Sequence, residues 1–195
     1  MIKSWPVLFI LLCLQTHVQA VEQYTTFYHG QYTDDAFGDI ISGKTISYED
    51  SRINVLAHAV KLFADDETLP PKRHQWELEG QIAKHDGEQN HWELNAAIIV
   101  RWLDFPWNQY VKTTAAIGDG LSYATVVPPI EEASHTNTGA AKLLNYFVVE
   151  VSLAPPSAKH WSLVGRIHHR SGIYGLINDV KGGSNVICLG LKYAY

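Results

Sequence analysis

The chain has 195 residues, enough for one domain with a full core or for one closed barrel, and too few for two comfortable domains. Its 15 Lys and Arg against 20 Asp and Glu give a formal net charge of -5 at pH 7. A mildly acidic chain without a basic cluster is a poor nucleic-acid binder, so no nucleic-acid partner is expected.

Residues 1–20 have the three parts of a cleaved secretory signal peptide. Lys3 supplies a positive n-region, an apolar run covers residues 6–14, and the small-residue pattern that ends at Ala20 is a cleavage site. The apolar run is about nine residues long, whereas a membrane-spanning helix needs roughly twenty. We therefore predict export, with residues 21–195 as a single domain.

Beyond the signal, apolar and polar residues alternate with a period of two, and no stretch is long enough to cross a membrane as a helix. This alternation predicts β-strands, separated by turn residues such as Pro70-Pro71 and Gly182-Gly183. The predicted strands lie near 53–64, 73–85, 91–103, 110–125, 143–153, 160–171 and 185–195, with a weaker first strand near 22–32 or 40–48.

The strand near 91–103 indicates which residues share a face. Its even positions, from Trp92 to Trp102, are apolar, whereas its odd positions include Glu93, Asn95 and Arg101. An apolar outer face, a polar inner face and aromatic residues at the strand ends are typical of a transmembrane β-barrel. A soluble β-sandwich or a lipocalin-like barrel with its apolar face inward gives the same alternation, so this pattern leaves both folds open.

The last strand favours the membrane barrel. Its apolar positions alternate up to the final residue, Tyr195, whereas a soluble domain usually ends in a few frayed polar residues. A terminal aromatic residue resembles the C-terminal signal by which outer-membrane barrels are recognised for assembly. We predict an all-β fold, a small antiparallel outer-membrane β-barrel of about eight strands. An interior that narrow is filled by side chains and forms no open pore.

Residues 161–171 place two different sets of side chains on the two faces of one strand. One set is apolar and ends in His169 and Ser171, and the other contains Arg166, His168 and Arg170. In a membrane barrel the first set faces lipid and the second faces the interior. The basic set needs acidic partners there, because an unpaired buried charge is costly. The expected partners are Glu77, Glu79, Glu93 and Glu150.

His169 and Ser171 have the chemistry of a serine hydrolase. A serine hydroxyl is a poor nucleophile until a base takes its proton, and imidazole is the usual base at neutral pH. Residues two apart share a face of a strand, so the two side chains can approach each other. With both termini in the periplasm, strand seven of eight ends at the extracellular rim, beside the lipopolysaccharide of the outer leaflet. An inert polar pair at the membrane interface is the alternative interpretation.

An outward His-x-Ser near the end of the penultimate strand, followed by a loop and a strand that ends in an aromatic residue, resembles the lipid A 3-O-deacylase (PagL-type) family. The resemblance covers about the last 40 residues, and the rest of the chain matches in architecture. It implies an eight-stranded barrel that hydrolyses an ester-linked acyl chain of lipid A with a Ser-His-acid triad and without a metal. On this resemblance Ser171 is the nucleophile, His169 is the general base, and backbone N–H groups near Gly172 form the oxyanion hole.

The chain departs from the family at the acid. The family has a Glu on the last strand about a dozen residues after the serine, where this chain has Gly182-Gly183-Ser184-Asn185 and no carboxylate. It also has Gly172 where the family has Asn. Asp179 in the loop and Asn185 on the strand are the candidates for orienting His169. Loss of the orienting acid generally costs several orders of magnitude in rate.

The function predicted from the sequence is therefore hydrolysis of a lipid A acyl ester in the outer membrane. The expected partners are lipid A of lipopolysaccharide and the membrane itself, and a second copy of the chain is allowed as a homodimeric partner. The alternative is a non-enzymatic barrel with a structural or interaction role. No cofactor and no metal are expected, because the other histidines show no convincing metal-ligand spacing. Those histidines include His58, His74, His85, His91 and His135.

Overall fold

The computed structural model describes residues 22–63, 73–134 and 139–195. Within these ranges the chain forms eight antiparallel strands, each paired with its neighbours along the chain, and the last pairs with the first to close a barrel. The predicted fold, a small antiparallel β-barrel of the outer-membrane type, is confirmed. The strands are β1 (Gln23–Thr33), β2 (Tyr48–Lys61), β3 (His74–Gly87), β4 (Trp92–Trp102), β5 (Lys112–Ala124), β6 (Leu143–Ala154), β7 (Trp161–Ser171) and β8 (Gly183–Ala194).

Two short helices lie in the connections, α1 (Phe37–Ile41) between β1 and β2, and α2 (Pro129–Ser134) between β5 and β6. No helix in the described ranges is long and apolar enough to cross a membrane. The signal peptide predicted at 1–20 and the turn at Pro70-Pro71 lie outside the described residues.

Of the two ranges predicted for the first strand, one is confirmed and the other is wrong. The range near 22–32 is confirmed by β1, whereas the range 40–48 contains the end of α1 and an irregular connection. Strand β2 begins at Tyr48 rather than at residue 53. Its outward residues Asp50 and Arg52 are exposed and polar, so alternation between apolar and polar residues does not reveal this part of the strand.

The outer wall of the barrel is apolar. Along β4 the even positions are exposed or nearly so, while Glu93, Asn95 and Arg101 point inward and are buried. An exposed apolar band of this kind is suited to contact with lipid. In a soluble β-sandwich or lipocalin-like barrel the apolar face would point inward. The band includes Phe27, Leu56, Leu78, Ile82, Leu94, Ile98, Ile117, Leu121, Val151, Leu163, Leu189 and Leu191.

The two ends of the barrel have different connections. At one end, called here the terminal end, β1 begins, β8 finishes, and the β2–β3, β4–β5 and β6–β7 connections lie. The other four connections, with α1 and α2, lie at the opposite end, called here the loop end. Exposed aromatic side chains lie around both ends of the barrel, as expected for the two interfaces of a membrane. They include Trp76, Trp102, Trp161 and Tyr195 at the terminal end and Tyr48, Trp92 and Tyr123 at the loop end.

Paired charges fill the interior. Arg166 on β7 donates to both oxygens of Glu79 on β3, at 2.7 and 2.9 Å, and to Glu150 on β6 at 2.9 Å. Arg101 on β4 donates to Glu150 at 2.6 Å and to both oxygens of Glu77, at 2.6 and 3.0 Å. All five side chains are buried. The predicted pairing of basic and acidic residues inside the barrel is therefore confirmed.

The other two basic residues of β7 are also inside and paired. His168 Nε2 lies 2.8 Å from Glu93 Oε1. Arg170 Nη1 donates to both carboxylate oxygens of Glu131, at 2.7 and 2.8 Å, and Glu131 comes from α2 rather than from a strand. The sequence did not reveal this last partner, because a short helix gives no periodic pattern.

Replacing Tyr195 with aspartate is expected to lower the amount of assembled barrel several-fold without lowering synthesis. The Tyr195 hydroxyl lies 3.2 Å from Thr25 Oγ1 and 3.3 Å from His58 Nδ1 on the outer wall. A carboxylate there would lose these contacts and place a charge at the membrane interface. The measurement compares the folded band of an unboiled detergent gel with total protein. Tyr110→Asp, at an exposed aromatic residue of the β4–β5 connection, is the matched control, and equal assembly of the two variants would contradict the prediction.

Candidate active site on the outer wall

The strand register places His169 and Ser171 on the outer wall at the loop end. Both lie near the C-terminal end of β7 and are partly exposed, whereas Arg170 between them is buried in the interior. Across the sheet, His169 pairs with Phe147 on β6 and with Asn185 on β8. The two side chains thus share the lipid-facing side of one strand.

Asn185 orients the His169 imidazole. His169 Nδ1 lies 2.7 Å from Asn185 Oδ1, and Asn185 Nδ2 donates to the backbone carbonyl of Asp35 at 2.9 Å. Because the second bond uses the amide N–H, the amide presents its oxygen to the imidazole, and Nδ1 must be the protonated ring nitrogen. His169 Nε2 therefore has the free lone pair that a general base needs.

Asp35 lies just after the end of β1, and hydrogen bonds hold its side chain in place. Its carboxylate accepts hydrogen bonds from the backbone N–H of Ser47 at 2.6 Å and from the Thr33 hydroxyl at 2.8 Å. These hydrogen bonds hold the pKa of the Asp35 carboxyl below its ordinary value, so it stays ionised at neutral pH. The backbone carbonyl of Asp35, which accepts the hydrogen bond from Asn185, is thereby held in place.

Gly183 leaves room for the imidazole beside Ser171. A Cβ built on Gly183, which pairs with Ser171 across the sheet, would lie 3.0 Å from Ser171 Cβ and 3.1 Å from His169 Cε1. The edge of the imidazole and Ser171 therefore lie over the same glycine. No hydrogen bond joins Ser171 to His169 within the described ranges, and catalytic hydrogen bonds often tighten only when substrate is bound.

The connection that contains α1 reaches onto the outer wall above His169. The Phe37 ring centroid lies 5.1 Å from that of His169 and 5.6 Å from that of Phe147. Together with the bond from Asn185 to Asp35, this contact covers one side of the imidazole. This contact could not be predicted from the sequence, because α1 is a single short helix of five residues and shows no helical periodicity.

The other two predicted site residues make no hydrogen bond to the His169 imidazole within the described ranges. Asp179 is exposed in the β7–β8 connection and makes no side-chain hydrogen bond within the part of the chain described. The Gly172 N–H donates to the Gly182 carbonyl at 3.2 Å, so this amide already has a partner. Of the two residues that the sequence offered for orienting His169, the structure brings Asn185 to it and leaves Asp179 in the loop.

A second cluster of titratable side chains lies inside the barrel at the loop end. His85 on β3, His91 in the β3–β4 turn and Glu93 on β4 are buried, and one nitrogen or oxygen atom from each lies within 4.8 Å of the others. Burial, and then the neighbouring His85, lower the pKa of His91 to about 4, so its imidazole is neutral at pH 7. The spacing of the histidines did not predict this cluster, because the turn folds His91 back over His85.

No protein-family model matches the sequence, and no curated protein matches it. The fold is similar to a crystal structure of the outer membrane enzyme PagL, with a TM-score of 0.60 at 13% identity over 87% of this chain and 97% of that one. Neisserial surface protein A gives a TM-score of 0.49 at 7% identity, over 88% and 96% of the two chains. The N-terminal β-barrel domain of Pseudomonas aeruginosa OprF gives 0.47 at 8%, over 89% and 97%. At these identities the likeness shows the fold alone.

Proposed function

We propose that this chain resides in the outer membrane and hydrolyses an ester-linked acyl chain of lipid A, with Ser171 as the nucleophile and His169 as the general base. The observation that supports this most is the 2.7 Å hydrogen bond between His169 Nδ1 and Asn185 Oδ1 on the lipid-facing wall. It supplies the third group of a set in which a base lies beside a nucleophile and is oriented from its other side.

The proposed reaction has two steps. The Ser171 hydroxyl oxygen attacks the ester carbonyl carbon while His169 Nε2 takes the hydroxyl proton. The tetrahedral intermediate collapses when the bond between the carbonyl carbon and the sugar oxygen breaks, and the imidazolium gives its proton to that oxygen. Water, deprotonated by His169, then attacks the acyl-enzyme and releases the fatty acid, and the proton returns to Ser171.

Asn185 takes the position that a carboxylate has in a Ser-His-acid triad. Its oxygen accepts the Nδ1 proton and so selects the tautomer in which Nε2 is the base. An amide suffices for this orientation in the Cys-His-Asn sets of other hydrolases. Because it has no charge with which to stabilise the imidazolium, a slower reaction is expected than with a carboxylate.

The oxyanion donors are proposed to be the amides that follow Gly172. The N–H groups of Ile173 and Tyr174 donate no backbone hydrogen bond within the described ranges. Both residues have positive φ, 49° and 55°, which for a β-branched isoleucine is a strained conformation. Such strain is concentrated at functional sites, and successive free amides form a concavity that binds anions.

The position of the site on the barrel fits a lipid substrate. With both termini in the periplasm, the loop end meets the outer leaflet, where lipopolysaccharide lies. The side chains of Phe37 and Phe147 beside His169 offer an apolar surface for an acyl chain. The substrate could then reach Ser171 from within the membrane without entering the filled interior.

The mass of lipid A tests the proposal. Lipid A extracted from a Gram-negative host that produces the protein is expected to lack one ester-linked acyl group that the same host retains without it. Mass spectrometry of the two extracts measures this change, and an unboiled gel of the same cells shows that folded barrel is present. An unchanged mass in cells with abundant folded barrel would contradict hydrolysis and favour the non-enzymatic alternative.

A further inference from the structure

His91 is a buried imidazole that lacks a hydrogen-bond partner. Only 3% of its surface is exposed, and neither ring nitrogen is bonded to any of the described residues. Its ring stacks on that of His85, with centroids 4.1 Å apart and 14° between the planes. Buried polar groups in native proteins are paired in the large majority of cases, so an unpaired imidazole in this position requires an explanation.

Gln89, in the same turn, is placed to prepare His85 as a metal ligand. Its Nε2 lies 3.4 Å from His85 Nδ1, and its Oε1 is buried without a partner among the residues described. A half-turn of the amide exchanges the two atoms, and Oε1 can then accept the proton of His85 Nδ1–H. In that tautomer His85 Nε2 has a free lone pair. An oxygen that holds the outer nitrogen of a histidine in this way is typical of metal sites.

Glu93 supplies an anionic oxygen to the same space. Its Oε1 accepts a hydrogen bond from His168 Nε2 at 2.8 Å, and its Oε2 lies 3.0 Å from His85 Nε2. One oxygen of the carboxylate is thus held by His168, and the other accepts a hydrogen bond from His85 Nε2, whose proton a bound cation would replace. Only His91 must tilt out of its stack to bring a nitrogen within bonding distance, and no hydrogen bond holds it back.

Arg170 is a buried charge that opposes a cation at this position. Its Nε lies 3.7 Å from Glu93 Oε2. However, its Nη1 donates to both oxygens of Glu131, at 2.7 and 2.8 Å, so a second carboxylate balances the guanidinium. The two carboxylates together offset Arg170 and leave a negative charge for a bound cation.

We propose that His85, His91 and Glu93 bind one divalent transition-metal ion of the Zn²⁺ class. Two imidazole nitrogens and a carboxylate oxygen suit such ions, whereas Ca²⁺ and Mg²⁺ prefer oxygen ligands throughout. The ion ties the β3–β4 hairpin to β7 through the bond between Glu93 and His168, and so stabilises the loop end of the barrel. The proposed metal site lies in the interior of the barrel, whereas Ser171 lies on its outer surface. The proposal therefore does not depend on the proposed hydrolysis.

Zn²⁺ binding to the full-length mature barrel, purified in detergent without a polyhistidine tag and stripped with a chelator, tests this proposal. Calorimetry is expected to show one Zn²⁺ per barrel and no binding of Ca²⁺, and Co²⁺ should give the visible absorption of a low-symmetry nitrogen–oxygen site. His91→Ala and His91→Phe, the second of which keeps the ring stack, should each weaken Zn²⁺ binding at least about 100-fold. Gln89→Ala should weaken it about 10- to 100-fold, as loss of a group that orients a ligand does.

His74→Ala is the matched control, since it removes an exposed histidine at the opposite end of β3. Its Zn²⁺ affinity should equal that of the unmodified chain. An unboiled gel shows that each variant is folded before it is titrated. Absence of one-site Zn²⁺ binding in the unmodified barrel would overturn the proposal, and so would unchanged binding in a folded His91 variant or equal weakening in His74→Ala.

Discussion

Replacing Ser171 or His169 with alanine is expected to reduce the proposed removal of the lipid A acyl chain by at least about a thousandfold, while the barrel stays folded. Without the Ser171 hydroxyl no acyl-enzyme can form, and without the His169 imidazole the hydroxyl keeps its proton. Both side chains lie on the outer wall and do not belong to the interior charge network. The double variant should be no slower than either single one, because in the proposed mechanism the two residues act as one catalytic unit. Mass spectrometry of lipid A measures the loss.

His168→Ala is the control for this pair, because it removes the neighbouring histidine from the opposite face of β7. It breaks the 2.8 Å hydrogen bond to Glu93 and should lower the temperature at which the folded band is lost. Hydrolysis per folded barrel should persist. If His168→Ala abolished hydrolysis in a folded barrel and His169→Ala did not, the face assigned to every residue of β7 would be inverted.

The orienting residue can be tested in the same assay. Asn185→Ala leaves Nδ1 of His169 without its partner and should slow hydrolysis about 10- to 100-fold, as loss of a hydrogen bond to a charged group does. Asp179→Ala should leave the rate unchanged, because this carboxylate lies in the loop away from the imidazole. A large loss on replacing Asp179 would mean that the β7–β8 connection closes over His169 during the reaction.

Replacing Glu150 with alanine is expected to lower the free energy of unfolding by about 3–5 kcal/mol, the usual cost of breaking a buried ion pair from one side. Glu150 is 1% exposed and accepts hydrogen bonds from three buried cations, Arg101, Arg166 and Lys192. Its loss leaves Glu77 and Glu79 to balance all three. Urea unfolding of the barrel in detergent micelles measures the change.

Asp39→Ala is the control for Glu150, because Asp39 forms an ion pair with Lys44 in which both side chains are well exposed. Removing such a pair changes stability by about 0–1 kcal/mol. Similar losses for the two variants would mean that the interior is well hydrated and that its charges are only weakly coupled.

The fold could be predicted from the sequence because the barrel wall repeats one simple rule. Along β4 and β7 the apolar residues face outward and the charged residues inward, and a period of two shows this directly. The rule fails where the outward residues are no longer apolar, as at Asp50 and Arg52 near the loop end. It also gives no information on α1 and α2, which are too short to show helical periodicity.

The candidate site could be predicted only in part. The shared face of His169 and Ser171 follows from their spacing in one strand. The choice between Asn185 and Asp179 required the register between β7 and β8, which depends on how many residues the intervening loop uses. Asp35, which contacts Asn185, and Phe37, which contacts His169, lie in the β1–β2 connection, far from β7 and β8 in the sequence. No local sequence pattern predicts these contacts.

The interior charges also connect opposite parts of the barrel wall. Backbone hydrogen bonds join only neighbouring strands, and a ring of such bonds can flatten under lateral pressure from the membrane. The pairs Arg166–Glu79, Arg101–Glu150 and His168–Glu93 connect strands that are not neighbours and so act as cross-braces. The last of these is attached one residue before His169. We therefore expect side pressure on the wall to be resisted just behind the imidazole, where His168 is bonded to Glu93 across the interior.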